Sequence, residues 1–238
     1  ENNAGRSGTP YRESFPALIA DWRARWGQGD FPFFFCQLAN HKDKTDDPGQ
    51  ESPWAELREA QSSVLSVPAT GQAVLIDLGE AGDIHPRNKR DVGQRLARIA
   101  LARHHGRDLS HSGPVFDAVH FRDGKAVVAF KHADGGLQAA PLPETYPLSL
   151  ERNAFAPLVR NSPQSQLEGF AIRGEDGPWH WADAVIDGNK VVVSSPQVPR
   201  PVAVRYGWAD NPTVNLINAA GLPASPFRTD APDTAANQ

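Results

Sequence analysis

The segment from Phe31 to Ala39 is the feature of this sequence that most limits its fold. It reads Phe-Pro-Phe-Phe-Phe-Cys-Gln-Leu-Ala, a nearly continuous apolar run without alternating polar positions. Such a run is typical of a strand that is covered on both faces within a parallel sheet. A second apolar run, Ala73 to Gly79, predicts a second buried strand of the same kind.

Three helices are predicted around these two strands. The first spans Pro10 to Trp26, the second begins after Ser52 as its N-cap, and the third spans Arg87 to about His105. The apolar positions of the first helix recur at three- and four-residue spacing and form one face: Phe15, Leu18, Ile19, Trp22 and Trp26. Because strands that are joined by helices pair in parallel, this order predicts an α/β layer with a parallel sheet.

After Gly106 the sequence changes to short alternating segments that are separated by glycine-containing turns. The candidate strands are residues 126–131, 169–173, 182–186, 190–194 and 202–206. They predict a small antiparallel β unit. The fold class predicted for the whole chain is therefore α/β, a parallel sheet layer followed by an antiparallel β unit.

Composition excludes several classes of function. The chain has 238 residues, of which 39% are hydrophobic and 22% charged, as is ordinary for a globular protein. Its formal net charge of −4 gives no electrostatic basis for binding nucleic acid or an anionic membrane, so neither partner is expected. No apolar run is long enough to span a membrane, and the histidines and the single cysteine show no metal-ligand spacing.

The segment from Leu78 to Lys89 carries the residues best suited to chemistry. It lies between the end of the second predicted strand and the third predicted helix, where active sites gather in open α/β sheets. Asp83 and His85 are two residues apart, with Glu80 nearby. Acyl transfer needs a histidine base and a carboxylate that orients it, although a loop histidine in a local turn has the same spacing. The spacing alone leaves both interpretations open.

The string Asp83-Ile84-His85-Pro86, followed by Arg87-Asn88-Lys89, resembles the Asp-His block of the sialate O-acetylesterase group of SGNH hydrolases. Further similarity to this group runs from residue 1 to about residue 230, in residues 15–23, 26–27, 31–33, 37–39, 112–114, 205–212 and 221–230. The resemblance implies that residues 1–111 are the C-terminal part of a three-layer SGNH catalytic domain. It also implies that residues 112–230 form a small β-rich domain whose closing segment returns to the catalytic domain. Residues 231–238 are expected to be a disordered tail.

The resemblance implies a serine esterase that removes O-acetyl groups from sialic acids or from acetylated polysaccharides and oligosaccharides. In this scheme His85 is the general base, Asp83 orients it, and Glu80 is the reserve orienting carboxylate. The resemblance implies no metal and no organic cofactor. It also implies a periplasmic or secreted location.

The nucleophile motif of the family, of the type Gly-Gln-Ser-Asn, is absent from this sequence. The opening Glu1-Asn2-Asn3-Ala4-Gly5-Arg6 resembles another family block, Gly-Glu-Ser-Asn-Ala-Gly-Arg, which makes Asn2 a candidate oxyanion-hole donor, unless it is part of a frayed terminus. Since the sequence also contains no methionine, we expect the catalytic serine on a separate N-terminal fragment that binds this chain. The alternatives are a complete enzyme that uses Ser7, or a catalytically incomplete carbohydrate-binding remnant.

Four further residues are candidates for substrate binding. Gln37 and Asn40 end the first predicted strand at the edge where the active site is expected, but such residues also cap loops. Trp208 and Asn211 lie in the segment that resembles the family's closing segment. Tryptophan is a common platform for sugars, although aromatic side chains also fill protein cores.

Overall fold

A computed structural model of the chain describes residues 8–133, 135–148 and 154–230, apart from the side chains of residues 8 and 9. Asn2, Ser7 and residues 231–238, on which three of the predictions fall, lie outside the described residues. The described residues form a mixed α/β structure whose sheets are mostly antiparallel. No helix among the described residues is long and apolar enough to cross a membrane.

The first part of the chain, here called the α/β part, contains three helices and a two-stranded parallel sheet. Its elements are α1 (Gly8–Trp26), β1 (Phe33–Cys36), α2 (Pro53–Ser63), a 3₁₀ turn (Val64–Ser66), β2 (Thr70–Ala73) and α3 (Lys89–Arg103). The strands pair in register from Phe33 opposite Thr70 to Cys36 opposite Ala73. The predicted order of helices and strands and the parallel pairing are thus confirmed.

The side chains of β1 alternate between two small apolar clusters, because successive residues of a strand point to opposite faces. Phe35 packs with α1 and α2, whereas Phe34 packs with Ile99 of α3 and Ala73 of β2. The sheet is therefore covered by helices on both faces, as the apolar run predicts. The single predicted face of α1 is only partly correct: Phe15 and Ile19 are buried, but Leu18, Trp22 and Trp26 are substantially exposed.

The second strand differs from the prediction. It spans Thr70–Ala73, whereas residues 74–79 lie mostly in turns after its end. The last hydrogen bond between the two strands is donated by Gln37 N to Ala73 O. Leu38 N donates to Gln61, and Leu38 O accepts from Arg58. Because alternate residues of a strand direct their backbone groups to opposite edges, these groups of Leu38 face away from β2, and helix α2 occupies that other edge of the first strand.

The remaining strands form the β unit, residues 115–228. They are β3 (Val115–Arg122), β4 (Lys125–Lys131), β5 (Leu137–Ala139), β6 (Thr145–Pro147), β7 (Phe155–Pro157), β8 (Phe170–Arg173), β9 (His180–Trp181), β10 (Asp183–Asp187), β11 (Lys190–Ser194), β12 (Ala203–Tyr206), β13 (Leu216–Asn218) and β14 (Phe227–Arg228). Two four-stranded sheets, ordered β10-β11-β4-β3 and β14-β12-β8-β9, enclose one apolar cluster. The antiparallel unit is confirmed, and the prediction missed β3 and several short strands.

Residues 208–213, between β12 and β13, return from the β unit to the α/β part. This return segment contacts the loop after β1, residues 37–44, and the start of α2. Beside it, Arg228 of β14 forms a two-point ion pair with Glu59 of α2. The β unit therefore lies against the ends of β1 and β2 at which the candidate site is found.

Candidate active site

Asp83 and His85 lie on the loop between β2 and α3, residues 78–88, here called the Asp-His loop. Oδ1 of Asp83 accepts a hydrogen bond from the His85 backbone N at 2.9 Å and lies 3.5 Å from His85 Nδ1. The Asp83 side chain is only 11% exposed, whereas that of His85 is 82% exposed. An Nδ1–H that faces a carboxylate leaves the lone pair on Nε2, which is the arrangement that a histidine base requires.

Glu80 has a different role from Asp83 in this geometry. Its buried Oε1 accepts from the backbone N of Arg87 at 3.1 Å and from Arg87 Nε at 2.8 Å. The hydrogen bond with Glu80 raises the pKa of the Arg87 guanidinium. An isolated bridge between Glu80 and Asp83 closes the turn between them. Asp83 is thus the carboxylate beside His85, and Glu80 holds the two sides of the Asp-His loop together.

The Asp-His loop packs closely against the loop after β1. Asn40 Oδ1 accepts from the backbone N of Gly79 at 2.6 Å. A Cβ at Gly79 would come within 1.8 Å of the Asn40 carbonyl oxygen, so this position has no room for a side chain. Lys42 N donates to Ala81 O at 2.8 Å, and His41 Nδ1 lies 3.2 Å from Glu80 O. Three successive residues of one loop therefore contact three successive residues of the other.

Asn40 and Asn211, both predicted to bind substrate, are brought together by the structure. Asn40 Nδ2 donates to Asn211 Oδ1 at 2.8 Å, and Asn211 Nδ2 donates to Lys42 O at 2.7 Å. Asn211 is buried. Its polar atoms are thus occupied by the loop after β1.

Gln37 and Trp208 are not brought to the Asp-His pair by any contact among the described residues. Gln37 is buried, and its Nε2 donates to Ser62 Oγ on α2 at 3.0 Å. The Trp208 ring packs against two guanidinium groups, with centroid distances of 5.7 Å to Arg205 and 4.6 Å to Arg228. A role for either side chain in substrate binding stays a prediction.

Sequence reasoning missed Arg58, which is completely buried. Its guanidinium donates to four backbone carbonyl oxygens: Leu38 at 2.9 Å, Ala39 at 3.0 Å, Ala209 at 2.7 Å and Asp210 at 2.9 Å. Burial lowers the pKa of Arg58 to about 9. The one available signal was an arginine next to Leu57 and Ala60 on the face of α2 that packs into the core.

Lys44 was also missed. Its Nζ donates to the carbonyl oxygens of Asn211 and Pro212, both at 3.3 Å, and lies 5.1 Å from the centroid of the Tyr146 ring. Burial lowers the pKa of Lys44 to about 8. In the sequence, Lys44 belongs to a run of charged residues that is typical of a solvated loop, so nothing marked it as buried.

No group of three or more His, Cys, Asp or Glu residues within the described part of the chain is placed to share a metal ion. The arrangement that remains is a carboxylate–imidazole pair on an exposed loop. That pair can take up a proton from a hydroxyl nucleophile.

The chain is similar to a solved carbohydrate acetylesterase structure. It is 46% identical to a crystal structure described as a novel carbohydrate acetylesterase from Xanthomonas citri, with a TM-score of 0.77 over 93% of this chain. The chain covers 46% of that structure. This likeness shows that the chain is related to carbohydrate esterases.

The relationship extends to named curated proteins. The chain is 35% identical to the sialate O-acetylesterase of Mus musculus and 32% identical to that of Homo sapiens, in each case over 48% of this chain. It spans about a quarter of their length, 24% and 25%. No family model matches. The chain is thus a relative of the sialate O-acetylesterase-like carbohydrate esterases, which confirms the resemblance found in its sequence.

Proposed function

We propose that this chain is part of a serine carbohydrate O-acetylesterase in which His85 is the general base and Asp83 orients it. The observation that carries the proposal is the Asp83–His85 pair, with 3.5 Å between the carboxylate and Nδ1, on the loop that follows a parallel strand. The named activities of the relatives support the same reaction. Sialic acids and acetylated polysaccharides or oligosaccharides are the proposed substrate classes.

The proposed reaction is acyl transfer in two steps. A serine hydroxyl attacks the acetyl carbonyl while His85 Nε2 takes the hydroxyl proton, and the protonated imidazole then passes that proton to the departing sugar oxygen. Water, deprotonated by His85, next attacks the acetyl-serine ester, and acetate leaves as the serine recovers its proton. The Asp83 carboxylate stabilises the imidazolium at both stages. The reaction needs no redox partner.

We further propose that the nucleophilic serine belongs to a separate N-terminal fragment that binds this chain. No serine hydroxyl among the described residues is hydrogen-bonded to His85, and the His85 ring is open to such a partner. In this proposal the helix-covered pair of β1 and β2 belongs to a three-layer SGNH sheet, and Asn2 donates to the oxyanion. Residues 1–111 are then the catalytic part, residues 112–230 are a β-rich domain, and the protein acts in the periplasm or outside the cell.

The test is hydrolysis of a chromogenic acetyl ester by residues 1–238 combined with the serine-bearing segment. We expect His85→Ala to lower kcat/KM by about 10²–10⁴-fold, which is the usual contribution of a general base. Asp83→Asn should lower it by less, since the imidazole remains. His105→Ala, at an exposed histidine beyond the end of α3, is the matched control and should retain full activity. If the His85 variant keeps more than about a tenth of the activity, this assignment of the base is wrong.

A further inference from the structure

We infer that Asn211, on the return segment of the β unit, is a positioning residue that fixes the Asp-His loop through the loop after β1. The inference rests on the proposed function, because it assigns the β unit a part in the same reaction. It replaces direct substrate contact as the role of Asn211 and Asn40.

Arg58 connects the return segment to the α/β part. The guanidinium of Arg58 donates to Ala209 O and Asp210 O on the return segment and to Leu38 O and Ala39 O in the loop after β1. A planar guanidinium that bonds four carbonyls holds the two backbones at a fixed separation. Since Arg58 is completely buried, water does not compete for these bonds.

Asn211 holds the loop after β1 by hydrogen bonds. Its amide donates to Lys42 O, while its Oδ1 accepts from Asn40 Nδ2 and from Lys44 Nζ. Its neighbour Asp210 accepts from Lys42 Nζ and from Ser52 Oγ, and its carbonyl oxygen accepts from His41 N. A buried amide with all its contacts on one loop selects one conformation of that loop, because any other leaves polar groups unpaired.

The loop after β1 in turn holds the Asp-His loop. The Asn40 side chain, oriented by Asn211, accepts from Gly79 N at 2.6 Å. Lys42, whose carbonyl Asn211 holds, donates from its own N to Ala81 O at 2.8 Å. Ala81 N in turn donates to Pro147 O of β6 at 3.2 Å, so the β unit holds this residue from a second side.

The Asp-His pair lies close to Ala81 in the chain. Asp83 is two positions after Ala81; a bridge closes the turn between Glu80 and Asp83, and the Glu80–Arg87 ion pair ties the two sides of the loop together. The His85 ring is itself largely exposed, so its position depends on the backbone of the loop that carries it. Displacement of a catalytic group by about 1 Å lowers rates by about 10²-fold, so the loop needs a rigid support. The β unit provides that support through Asn211.

Asn215 offers a matched control. It is also a buried asparagine, four positions further along the chain, and its side chain makes three hydrogen bonds. All three lie within the β unit, to Glu168 N, Ala140 O and Gln166 O. Loss of either amide removes a similar set of bonds, but only Asn211 contacts the loop after β1.

The experiment compares Asn211→Ala, Asn211→Asp and Asn215→Ala in the complete esterase. We expect Asn211→Ala to lower kcat by roughly 10–100-fold, with KM changed less than about threefold. Amide hydrogen exchange at Gly79 and Ala81 should speed up. Asn211→Asp keeps the acceptor for Asn40 and Lys44, so its kcat and its exchange rates should lie between those of the wild type and of Asn211→Ala. This variant remains informative if the alanine variant does not fold. Asn215→Ala should lower the melting temperature while kcat and exchange at Gly79 and Ala81 stay close to wild type.

Two results would overturn the inference. One is unchanged exchange at Gly79 and Ala81 in both Asn211 variants. The other is an equal fall of kcat in the Asn211→Ala and Asn215→Ala variants, which would mean that only general stability matters. If the wild-type protein hydrolyses no acetyl ester, the proposed function fails, but hydrogen exchange still decides whether Asn211 orders the Asp-His loop.

Discussion

The β unit and the α/β part are held together in different ways. One cluster of buried apolar side chains, drawn from both four-stranded sheets, fills the β unit. The α/β part divides its buried apolar side chains between two smaller clusters on opposite faces of a two-stranded sheet, and its α1 leaves Trp26 60% exposed. The part that carries the Asp-His loop therefore has the weaker core of its own. It depends on buried polar contacts with the part that carries no proposed catalytic residue.

Those contacts meet at Arg58 and the return segment, where charged and amide side chains bond mostly to backbone oxygens. A close-packed apolar core is rigid, and hydrogen bonds of defined length and angle fix the positions of the groups that they join. We infer that the β unit is the rigid support, and that the contacts of Arg58 and the return segment, here called the junction, connect it to the candidate site.

Phe170→Ala should have the largest effect. The side chain is fully buried and lies between Tyr206 and Phe227, with ring centroids 4.7 Å and 6.5 Å away. Removing a buried phenylalanine costs about 3–5 kcal/mol, measured as the free energy of unfolding in denaturant. Phe155→Ala, at a phenylalanine that is 55% exposed, is the control and should change stability by less than about 0.5 kcal/mol. Equal losses in the two variants would contradict the placement of Phe170 in the core of the β unit.

Arg58→Met should cost about 3 kcal/mol, because it leaves buried carbonyl oxygens without donors and each such group costs about 1–3 kcal/mol. Arg58→Lys should recover part of the loss, since a lysine keeps the charge but not the planar fork. Arg25→Met is the control: Arg25 is exposed and pairs with Asp21 four residues away, so its loss should leave stability nearly unchanged. A silent Arg58→Met would show that the junction contributes nothing to stability.

Lys44 should make stability depend on pH above neutrality. Between about pH 8 and its ordinary pKa of 10.5, the folded protein has released the Lys44 proton while the unfolded chain still holds it. Folding therefore becomes more favourable as pH rises through this interval, by up to about 3 kcal/mol in all. Below pH 8 both states hold the proton, so the contribution of Lys44 is constant there.

The check is chemical denaturation of the wild type and of Lys44→Met from pH 7 to 10.5. The wild type should gain stability relative to the variant as pH rises. Lys131→Met, at an exposed lysine that pairs with Asp117, serves as the control and should follow the wild type. A difference between wild type and Lys44→Met that does not change with pH would mean that Lys44 is not desolvated.

Tyr206→Phe should have the smallest effect. The buried hydroxyl accepts from Leu216 N at 3.1 Å, and burial raises the pKa of Tyr206. Replacement by phenylalanine preserves the ring packing and removes one hydrogen bond, so we expect a loss of about 1 kcal/mol. Denaturation at pH 7 measures it. A loss as large as that of Phe170→Ala would show that polar contacts, and not apolar packing, dominate inside the β unit.

The sequence predicted those features that depend on neighbouring residues. The N-cap of α2 is confirmed, since Ser52 accepts from Ala55 N at 3.0 Å. The turn at Asp123-Gly124 is confirmed as well, where both residues take the positive φ values that glycine tolerates best. The apolar run around Phe34 predicted a strand covered on both faces, and the structure has it.

The sequence could not predict the features that depend on contacts between distant positions. Asn40 and Asn211 are 171 positions apart in the chain, and no local pattern marks them as partners. The end of β2 was misplaced because an apolar run does not show where pairing between strands stops. Long-range bonds that involve side chains support the candidate site.

The most direct test of the central proposal is to label the complete protein with a fluorophosphonate, a probe that reacts with activated serines, and to map the adduct by mass spectrometry. We expect one adduct on a serine outside residues 1–238, formed at least about 100-fold more slowly in His85→Ala, since the base activates the nucleophile. The His105→Ala control should label at the wild-type rate. An adduct on Ser7, or labelling at an unchanged rate in His85→Ala, would contradict the account.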